Sequence, residues 1–471
     1  MKQERDNFRE ENISEAVNRF KRSLISGRKK YFDVSEFEGI VEQLMEEGDL
    51  QASEIAAKQG IQIHPNAVPL QLKYAQILIN QGKYDQAHQY LDFAEKVENV
   101  NPDVHMLKGS VWLIMGNELE AVNSFRNALK YAGNEADDVF YHIALAYVQV
   151  GDIQKAIVYL EKAITLNPEN EVALYDLAFF SDQTGDYRKS IEYYNQFIDL
   201  DPYNYTAWFN LGIVYNKAEK HKKAIKAYEF VLAINENFHM ALFNIGNALA
   251  NSGKFKEAIK KYHEYLELEP ENDDAYCYIG ECYLNLEDNN KSEYYYRKAL
   301  KLNKENETAW FGIALIFWIE QKYEESAVYI KKALKIDKDN SEYWLTLGKV
   351  FNDAGKLDEA VNAFKKGAKT DADNTEIWLT WAEVLFKFGE SEKAIRIIKR
   401  AIKNNTDSML KYRLVAFLLE TKNQKDAFEW LKKAMKQDFE NINYLFDIYP
   451  KSLKSKRLKK VVDEFRKTNS V

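Results

Sequence analysis

A period of 34 residues runs through most of the chain, and it limits the fold more than any other feature of the sequence. A small residue precedes the second apolar run of each period, and it recurs as Ser53, Ala87, Ala121, Ala156, Ser190, Ala224, Ala258, Ser292, Ser326, Ala360, Ala394 and Ala427. A unit of this length cannot bury its apolar face alone, so it must stack on its neighbours. The sequence therefore predicts one repeat array rather than a set of separate globular domains.

Twelve units follow from this spacing, and they start at residues 34, 68, 102, 137, 171, 205, 239, 273, 307, 341, 375 and 408. The eighth place of the unit is small in ten of the twelve, which predicts a close approach of two helices. The fifteenth place is Gly in eight units, which is typical of the left-handed residue that ends a helix. Each unit is predicted to fold as helix, tight turn and helix.

The residues at fixed places of the unit point to a known repeat family. The unit that starts at Tyr205 has Trp208, Leu211, Gly212, Tyr215, Ala224 and Tyr228 in step, and a closing proline follows in other units as Pro65, Pro168, Pro202 and Pro270. This pattern resembles the tetratricopeptide repeat (TPR) along residues 34–441. The resemblance implies an all-α TPR solenoid, a right-handed superhelix in which first helices line a concave groove and second helices form the outer wall.

The two ends of the chain have the pattern of capping helices. In residues 1–33, apolar side chains follow helical spacing as Ile13, Ala16, Val17, Phe20 and Leu24. Residues 442–471 hold a degenerate unit and a final helix with the apolar stripe Leu458, Val461, Val462 and Phe465. Basic residues surround this stripe, namely Lys451, Lys454, Lys456, Arg457, Lys459, Lys460, Arg466 and Lys467. We interpret the helix as a cap, and the alternative is a site for an anionic partner such as RNA or acidic lipid.

The sequence contains none of the motifs that would indicate catalysis. Phosphate-binding loops, nucleophile elbows and zinc-protease motifs are missing, and the seven histidines fall at unrelated places of different units. Cys277 and Cys282 share one helix and lie about 140° apart, which suits structural thiols better than a metal site. We therefore predict no enzyme activity, no catalytic residue, no metal and no cofactor.

Charge and hydropathy restrict the class of partner. Residues 34–450 carry a formal charge of −17, which argues against a nucleic-acid binder because such a surface should be basic. No apolar run approaches the length of a membrane span and the first residues lack the pattern of a secretion signal, so we expect a cytoplasmic protein without a membrane partner. A protein or an extended peptide is the predicted partner.

The concave groove implied by the resemblance is the predicted binding site. The fifth place of the unit, which is expected to face this groove, is mostly aromatic or aliphatic. Asparagines occur at the sixth, ninth, twelfth and thirteenth places of neighbouring units. Asn both donates and accepts hydrogen bonds, so a row of them suits an extended peptide backbone. The predicted groove residues are Tyr141, Tyr175, Phe179, Asp182, Phe209, Asn210, Asn216, Phe243, Asn244, Asn247, Asn251, Glu281 and Asn285. The fifth place has no Lys or Arg, which argues against the carboxylate clamp of chaperone-binding TPR proteins.

Three units differ from the others close to these asparagines. Their twenty-seventh place is Phe197, Val231 or Tyr265, where the other nine units have a small residue. This bulk predicts helices that stand further apart, and local departures from a rule are expected near functional sites. We predict a non-enzymatic scaffold or adaptor that binds a peptide segment or a partner protein in the groove. The alternative is a structural subunit that self-associates or belongs permanently to a larger complex.

Overall fold

The computed structural model describes residues 2–27 and 30–469, with side chains given for residues 13–27, 30–453 and 455–466. Within this part of the chain every regular element is a helix, and the helices from residue 34 to residue 437 form consecutive pairs. This confirms the predicted all-α fold of stacked helix hairpins. None of the described helices has the length and apolar character that a bilayer span requires.

The helices are numbered in chain order. The first helices of the pairs are α2 (Val34–Glu46), α4 (Val68–Asn80), α6 (Pro102–Ile114), α8 (Ala136–Gln149), α10 (Glu171–Gln183), α12 (Tyr205–Lys217), α14 (Met240–Asn251), α16 (Asp273–Asn285), α18 (Glu307–Ile319), α20 (Ser341–Asp353), α22 (Thr375–Lys387) and α24 (Ser408–Glu420).

The second helices are α3 (Leu50–Ile63), α5 (Tyr84–Val97), α7 (Glu118–Tyr131), α9 (Ile153–Leu166), α11 (Tyr187–Leu200), α13 (His221–Ile234), α15 (Phe255–Leu268), α17 (Asn289–Leu302), α19 (Tyr323–Ile336), α21 (Leu357–Thr370), α23 (Ser391–Asn404) and α25 (Gln424–Gln437). The remaining helices are α1 (Lys2–Ser26), α26 (Ile442–Ile448) and α27 (Lys456–Asn469), with short 3-10 turns at Gly133–Glu135 and Pro450–Lys454. The hairpins belong to two compact units, residues 1–238 and 239–471.

Short polar side chains start many of these helices. Asn204 accepts a hydrogen bond from the backbone N–H of Ala207 at the start of α12, and Asn272 does the same for Ala275 at the start of α16. Asp186 caps the second helix α11 in the same way. Each such bond satisfies an N–H that the helix itself leaves without a partner. The repeated Asn and Asp positions therefore fix where helices begin.

The turn inside each hairpin requires a left-handed residue, and four units supply one that is not glycine. The residues at this place in those units are Glu219, Glu287, Gln321 and Lys422, with φ between 58° and 64°. They share the left-handed region with Gly48 (φ 75°) and Gly253 (φ 76°) at the equivalent place of other units. The conformation disfavours a side chain because Cβ crowds the carbonyl that follows it. Turn geometry is thus kept even where the sequence departs from glycine.

Replacing Glu287 by Gly is expected to raise the free energy of unfolding of its repeat by about 0.5 to 1 kcal/mol. Glycine removes the left-handed strain, and part of that gain is offset by its greater freedom in the unfolded chain. The melting temperature and hydrogen exchange of α16 and α17 measure the effect. Glu229→Gly, exposed in the interior of α13, is the matched control and should lower stability by about 1 kcal/mol. Equal losses in both variants would contradict the assignment of strain to Glu287.

Small and aromatic side chains meet where the two helices of a hairpin cross. A Cβ atom added to Gly348 of α20 would lie 2.3 Å from the ring of Phe364 on α21, and one added to Gly212 would lie 2.5 Å from the ring of Tyr228. Both rings are almost completely buried. The glycine is therefore needed for close approach of the helices, and the ring fills the space between them.

Both terminal helices cover the neighbouring repeat. On α1, Ala16, Val17 and Phe20 are buried in the same core as α2 and α3. On α27, Leu458 and Val462 are buried with α24, α25 and α26. Lys454 and Lys467 belong to the predicted basic segment, but their side chains are not among those that the structure describes.

Candidate functional site

The thirteen predicted groove residues all lie on first helices. Tyr141, Tyr175, Phe179, Asp182, Phe209, Asn210 and Asn216 are on α8, α10 and α12 of the first compact unit. Phe243, Asn244, Asn247, Asn251, Glu281 and Asn285 are on α14 and α16 of the second.

In the first unit, polar members of the set connect successive repeats. Tyr141 Oη donates a hydrogen bond to Asp176 Oδ2 at 3.1 Å, Asn210 Nδ2 donates to Tyr175 Oη at 2.7 Å, and Lys217 Nζ pairs with Asp182 Oδ2 at 2.7 Å. Burial raises the pKa of Tyr141 to about 12 and also raises the pKa of Asp176. These groups brace first helices against one another, so part of their hydrogen-bonding capacity is already used.

The aromatic members of this unit are largely packing residues. The ring of Tyr175 lies 5.5 Å from that of Phe197, and the ring of Phe209 lies 4.9 Å from that of Phe238. The bulky Phe197 is thus buried beneath the fifth-place ring of its own unit. Phe179 differs from the others, because 40% of its surface is exposed.

The second unit follows the same pattern. The ring of Phe243 lies within 6 Å of the rings of Tyr262, Tyr265 and Tyr278, and Asn247 Oδ1 accepts a hydrogen bond from Tyr262 Oη at 2.7 Å. As with Phe197, the bulky Tyr265 is buried against the fifth-place ring.

The other polar residues of this set bond to their own helices or face solvent. Asn244 and Asn285 donate to backbone carbonyls one turn earlier, on Met240 and Glu281. The Asn251 side chain is exposed. Desolvation by surrounding protein atoms raises the pKa of the Glu281 carboxyl, although its side chain faces solvent. The predicted asparagines therefore do not form one uniform row of free amides.

A cleft that the sequence did not indicate lies among α2, α4, α6 and α8 of the first unit. It has a volume of about 500 Å³, in the range of ligand-binding pockets. Its lining consists of Glu38, Pro69, Leu72, Lys73, Gln76, Ile79, Asn80, Asn101, Asp103, Met106, Leu107, Ser110, His142, Leu145, Ala146 and Gln149. We call it the N-terminal cleft.

The N-terminal cleft combines apolar walls with unengaged amides. Leu72, Met106 and Leu145 give it an apolar surface. Gln76, Asn80 and Gln149 are exposed, and their side chains make no hydrogen bond within the described part of the chain. Each amide is free to donate and to accept. The cleft can therefore hold apolar side chains and a peptide backbone at the same time.

Charge in the cleft is low and unevenly placed. Lys73 Nζ is 3.0 Å from Glu42 Oε1, so its positive charge is already paired. Glu38 and Asp103 line the cleft without a cation in salt-bridge range among the described residues. The ring of His142 contacts that of Tyr141 at 5.5 Å.

One sequence signal marks this cleft in retrospect. The fifth place is Glu38, Leu72 and Met106 in the first three units, whereas it is Tyr or Phe in the next four. Smaller and more flexible side chains leave open space where rings fill it later in the chain.

The described residues contain no cluster of His, Cys, Asp and Glu that could hold a metal ion. Cys277 and Cys282 are buried, and Cys277 Sγ lies 3.4 Å from Asn306 Oδ1. Burial raises the pKa of Cys282 to about 12, so the thiol stays protonated and unreactive near neutral pH.

Comparison with known proteins gives family matches over several parts of the chain. A family model described as "Cilia and flagella-associated protein 70 C-terminal domain" matches residues 173–409, just over half of the chain. Two models described as "Tetratricopeptide repeat" match residues 44–111 and 138–170. No curated protein matches the sequence significantly.

Several solved structures are similar to parts of the chain. A tetratricopeptide repeat protein from Parabacteroides merdae ATCC 43184 has 16% identity and a TM-score of 0.41, covering 53% of this chain and 98% of its own. MamA from Desulfovibrio magneticus RS-1 has 19% identity and a TM-score of 0.34, covering 36% and 96%. Another MamA structure has 27% identity and a TM-score of 0.32, covering 36% and 92%.

Proposed function

Because this chain belongs to the tetratricopeptide repeat proteins, and over residues 173–409 to the family described as the cilia and flagella-associated protein 70 C-terminal domain, we propose that it is a non-enzymatic scaffold. Its repeats are typical of protein-interaction scaffolds. The proposed ligand is an extended segment of a partner protein, and the proposed site is the N-terminal cleft on the first helices α2, α4, α6 and α8.

The observation that carries this proposal is the set of three free amides beside an apolar wall. Gln76 and Asn80 stand one turn apart on α4, and Gln149 stands on α8. An extended peptide presents N–H and C=O groups that such amides can bind, while alternate side chains enter apolar space. Glu38 and Asp103 have no cation partner among the described residues and Lys73 is already paired, which favours a neutral or weakly basic peptide over an acidic one.

The groove residues predicted from the sequence extend this proposal. In the first unit the partner continues along α10 and α12, where Phe179 offers an exposed ring. In the second unit, Asn251 and Glu281 are proposed as a separate contact surface. Support for both comes from the exposure of these side chains on first helices.

We also propose a cytoplasmic location. The only two cysteines are free and buried, which agrees with a reducing compartment.

Removing the three free amides is expected to weaken peptide binding at least about tenfold, because each lost hydrogen bond is worth about 0.5 to 1.5 kcal/mol. Short peptides selected from a displayed random library on the wild-type chain are the ligands. Calorimetry then compares their Kd for the wild type and for the variant Gln76→Ala, Asn80→Ala, Gln149→Ala. All three positions are exposed on helices, so the change should leave the fold intact.

The matched control is Gln51→Ala, Gln86→Ala, Gln89→Ala on the second helices α3 and α5 of the same unit, which should leave Kd unchanged. Phe179→Ala tests the site predicted from the sequence. If selected peptides bind the cleft variant as tightly as the wild type but lose affinity for Phe179→Ala, the binding site is on α10 and not in the N-terminal cleft.

A further inference from the structure

Charge is distributed unevenly along the chain, and the basic region is longer than the C-terminal segment alone. Residues 387–471 contain 21 basic and 11 acidic residues, a formal charge of +10. Residues 34–135, the first three hairpins, contain 7 basic and 15 acidic residues, a formal charge of −8. The chain therefore has a basic and an acidic region whose net charges are opposite in sign and similar in size.

The basic residues lie on one side of three helices. On α23, Arg396, Lys399, Arg400 and Lys403 follow the spacing i, i+3, i+4 and i+7, which places them on a single helix face. The opposite face of α23 is buried through Ala394, Ile398 and Ala401. The packing of α23 thus turns all four basic side chains to solvent.

Exposed lysines also lie about one turn apart on α25 and on α27. Lys432 and Lys436 are exposed one turn apart on α25, and Lys456 and Lys459 are exposed on α27. α27 lies beside α25, since Arg457 Nη1 donates a hydrogen bond to Gln424 Oε1 at 3.0 Å. We call these residues of α23, α25 and α27 the basic face: Arg396, Lys399, Arg400, Lys403, Lys432, Lys436, Lys456 and Lys459.

The basic face has no ion-pair partner among the described residues of its own chain. None of its eight side chains makes an ion pair with any residue that the structure describes, whereas many lysines elsewhere do, such as Lys108 with Asp92 and Glu95. Eight positive charges without an ion-pair partner on α23, α25 and α27 produce a field that attracts an anionic surface.

The chemistry of the face favours an acidic protein over lipid or nucleic acid. The apolar side of α27 is buried through Leu458 and Val462, so this helix cannot insert it into a bilayer. Six of the eight residues are Lys, which lacks the bidentate geometry by which Arg binds phosphate. Exposed aromatic rings that would stack on bases are also missing from the described parts of α23, α25 and α27.

We propose that the basic face docks on the acidic first three hairpins of a second copy of this chain. Glu46, Asp85, Glu120 and Glu135 are exposed there, and none has a cation in salt-bridge range among the described residues. The two surfaces are different, so the contact between copies is heterologous and adds further copies unless it closes into a ring. These four carboxylates are not among the residues that line the N-terminal cleft, so the proposal does not rest on peptide binding there.

Sedimentation velocity at two ionic strengths tests the proposal. At about 10 mM salt, where the Debye length is about 30 Å, the wild-type chain should sediment as two or more copies, and at about 1 M salt, where it is about 3 Å, as a single copy. The basic-face variant Arg400→Glu, Lys403→Glu, Lys432→Glu, Lys436→Glu should be a single copy at both. The control Lys222→Glu, Lys226→Glu, Lys256→Glu, Lys260→Glu has the same change in charge on α13 and α15 and should associate like the wild type.

A charge exchange makes the test specific. The acidic variant Glu46→Lys, Asp85→Lys, Glu120→Lys, Glu135→Lys should also be a single copy alone, and mixing it with the basic-face variant should restore association at low salt. A wild-type chain that stays single at low salt overturns the proposal. The proposal also fails if the wild type is a single copy and binds oligouridylate RNA or phosphatidylserine vesicles through the basic face. The partner is then a nucleic acid or a membrane.

Discussion

Replacing Phe364 by Ala is expected to lower the free energy of unfolding of its repeat by about 3 to 5 kcal/mol, the usual loss for a large core ring. Phe364 is fully buried between α20 and α21, and its ring fills the space that Gly348 leaves open. Because stability in a repeat array is a sum of local terms, hydrogen exchange of α20 and α21 should rise first, with a lower melting temperature of the whole chain.

Two further variants establish the cause of this loss. Phe388→Ala removes a ring that is 44% exposed and should cost less than about 1 kcal/mol. Gly348→Ala places a methyl group 2.3 Å from the ring of Phe364 and should cost about 1 to 3 kcal/mol, less in a Phe364→Leu background. If Phe364→Ala is no more harmful than Phe388→Ala, the crossing of the two helices does not hold the hairpin together.

Truncating the buried stripe of α27 is expected to have the second large effect. Leu458 is buried in the core that α27 shares with α24, α25 and α26, so Leu458→Ala should lower the free energy of unfolding of this end by about 2 to 5 kcal/mol. Deleting residues 452–471 should lower the melting temperature further and promote aggregation, because the apolar face of the last hairpin then meets water.

The charges of the same segment supply the control. Changing Lys451, Lys456, Lys459 and Lys460 to Gln should alter stability by less than about 1 kcal/mol, since exposed charges contribute little. Thermal melts of the two variants decide between the roles. If Leu458→Ala leaves the melting temperature unchanged and the Gln variant lowers it, then charge, and not the apolar stripe, holds α27 in place.

The repeat fold could be predicted because its determinants are local and recur. The small eighth-place residue, the aromatic residue that packs against it from the second helix and the left-handed fifteenth-place residue each act within one hairpin. Gly348 and Phe364 are such a pair. Even Glu219 and Glu287, which break the glycine pattern, keep the same turn because the surrounding hairpin determines it.

The candidate site was harder to predict because it depends on contacts between repeats. The sequence pattern predicted that the amide of Asn210 would be available to a ligand. In the fold this amide donates a hydrogen bond to Tyr175 of the preceding repeat. The N-terminal cleft arises from the absence of rings, as at Leu72 and Met106, rather than from any motif. Gln76 and Gln149 lie outside the asparagine pattern of the sequence, although their amides offer the same donor and acceptor groups.

A crystal structure of the full chain with the tightest peptide selected from the random library would show directly where the ligand binds. We expect an extended peptide among α2, α4, α6 and α8, with its backbone within about 3.2 Å of the side-chain amides of Gln76, Asn80 or Gln149. A peptide bound on the second helices, or one that leaves this cleft empty, would contradict this expectation.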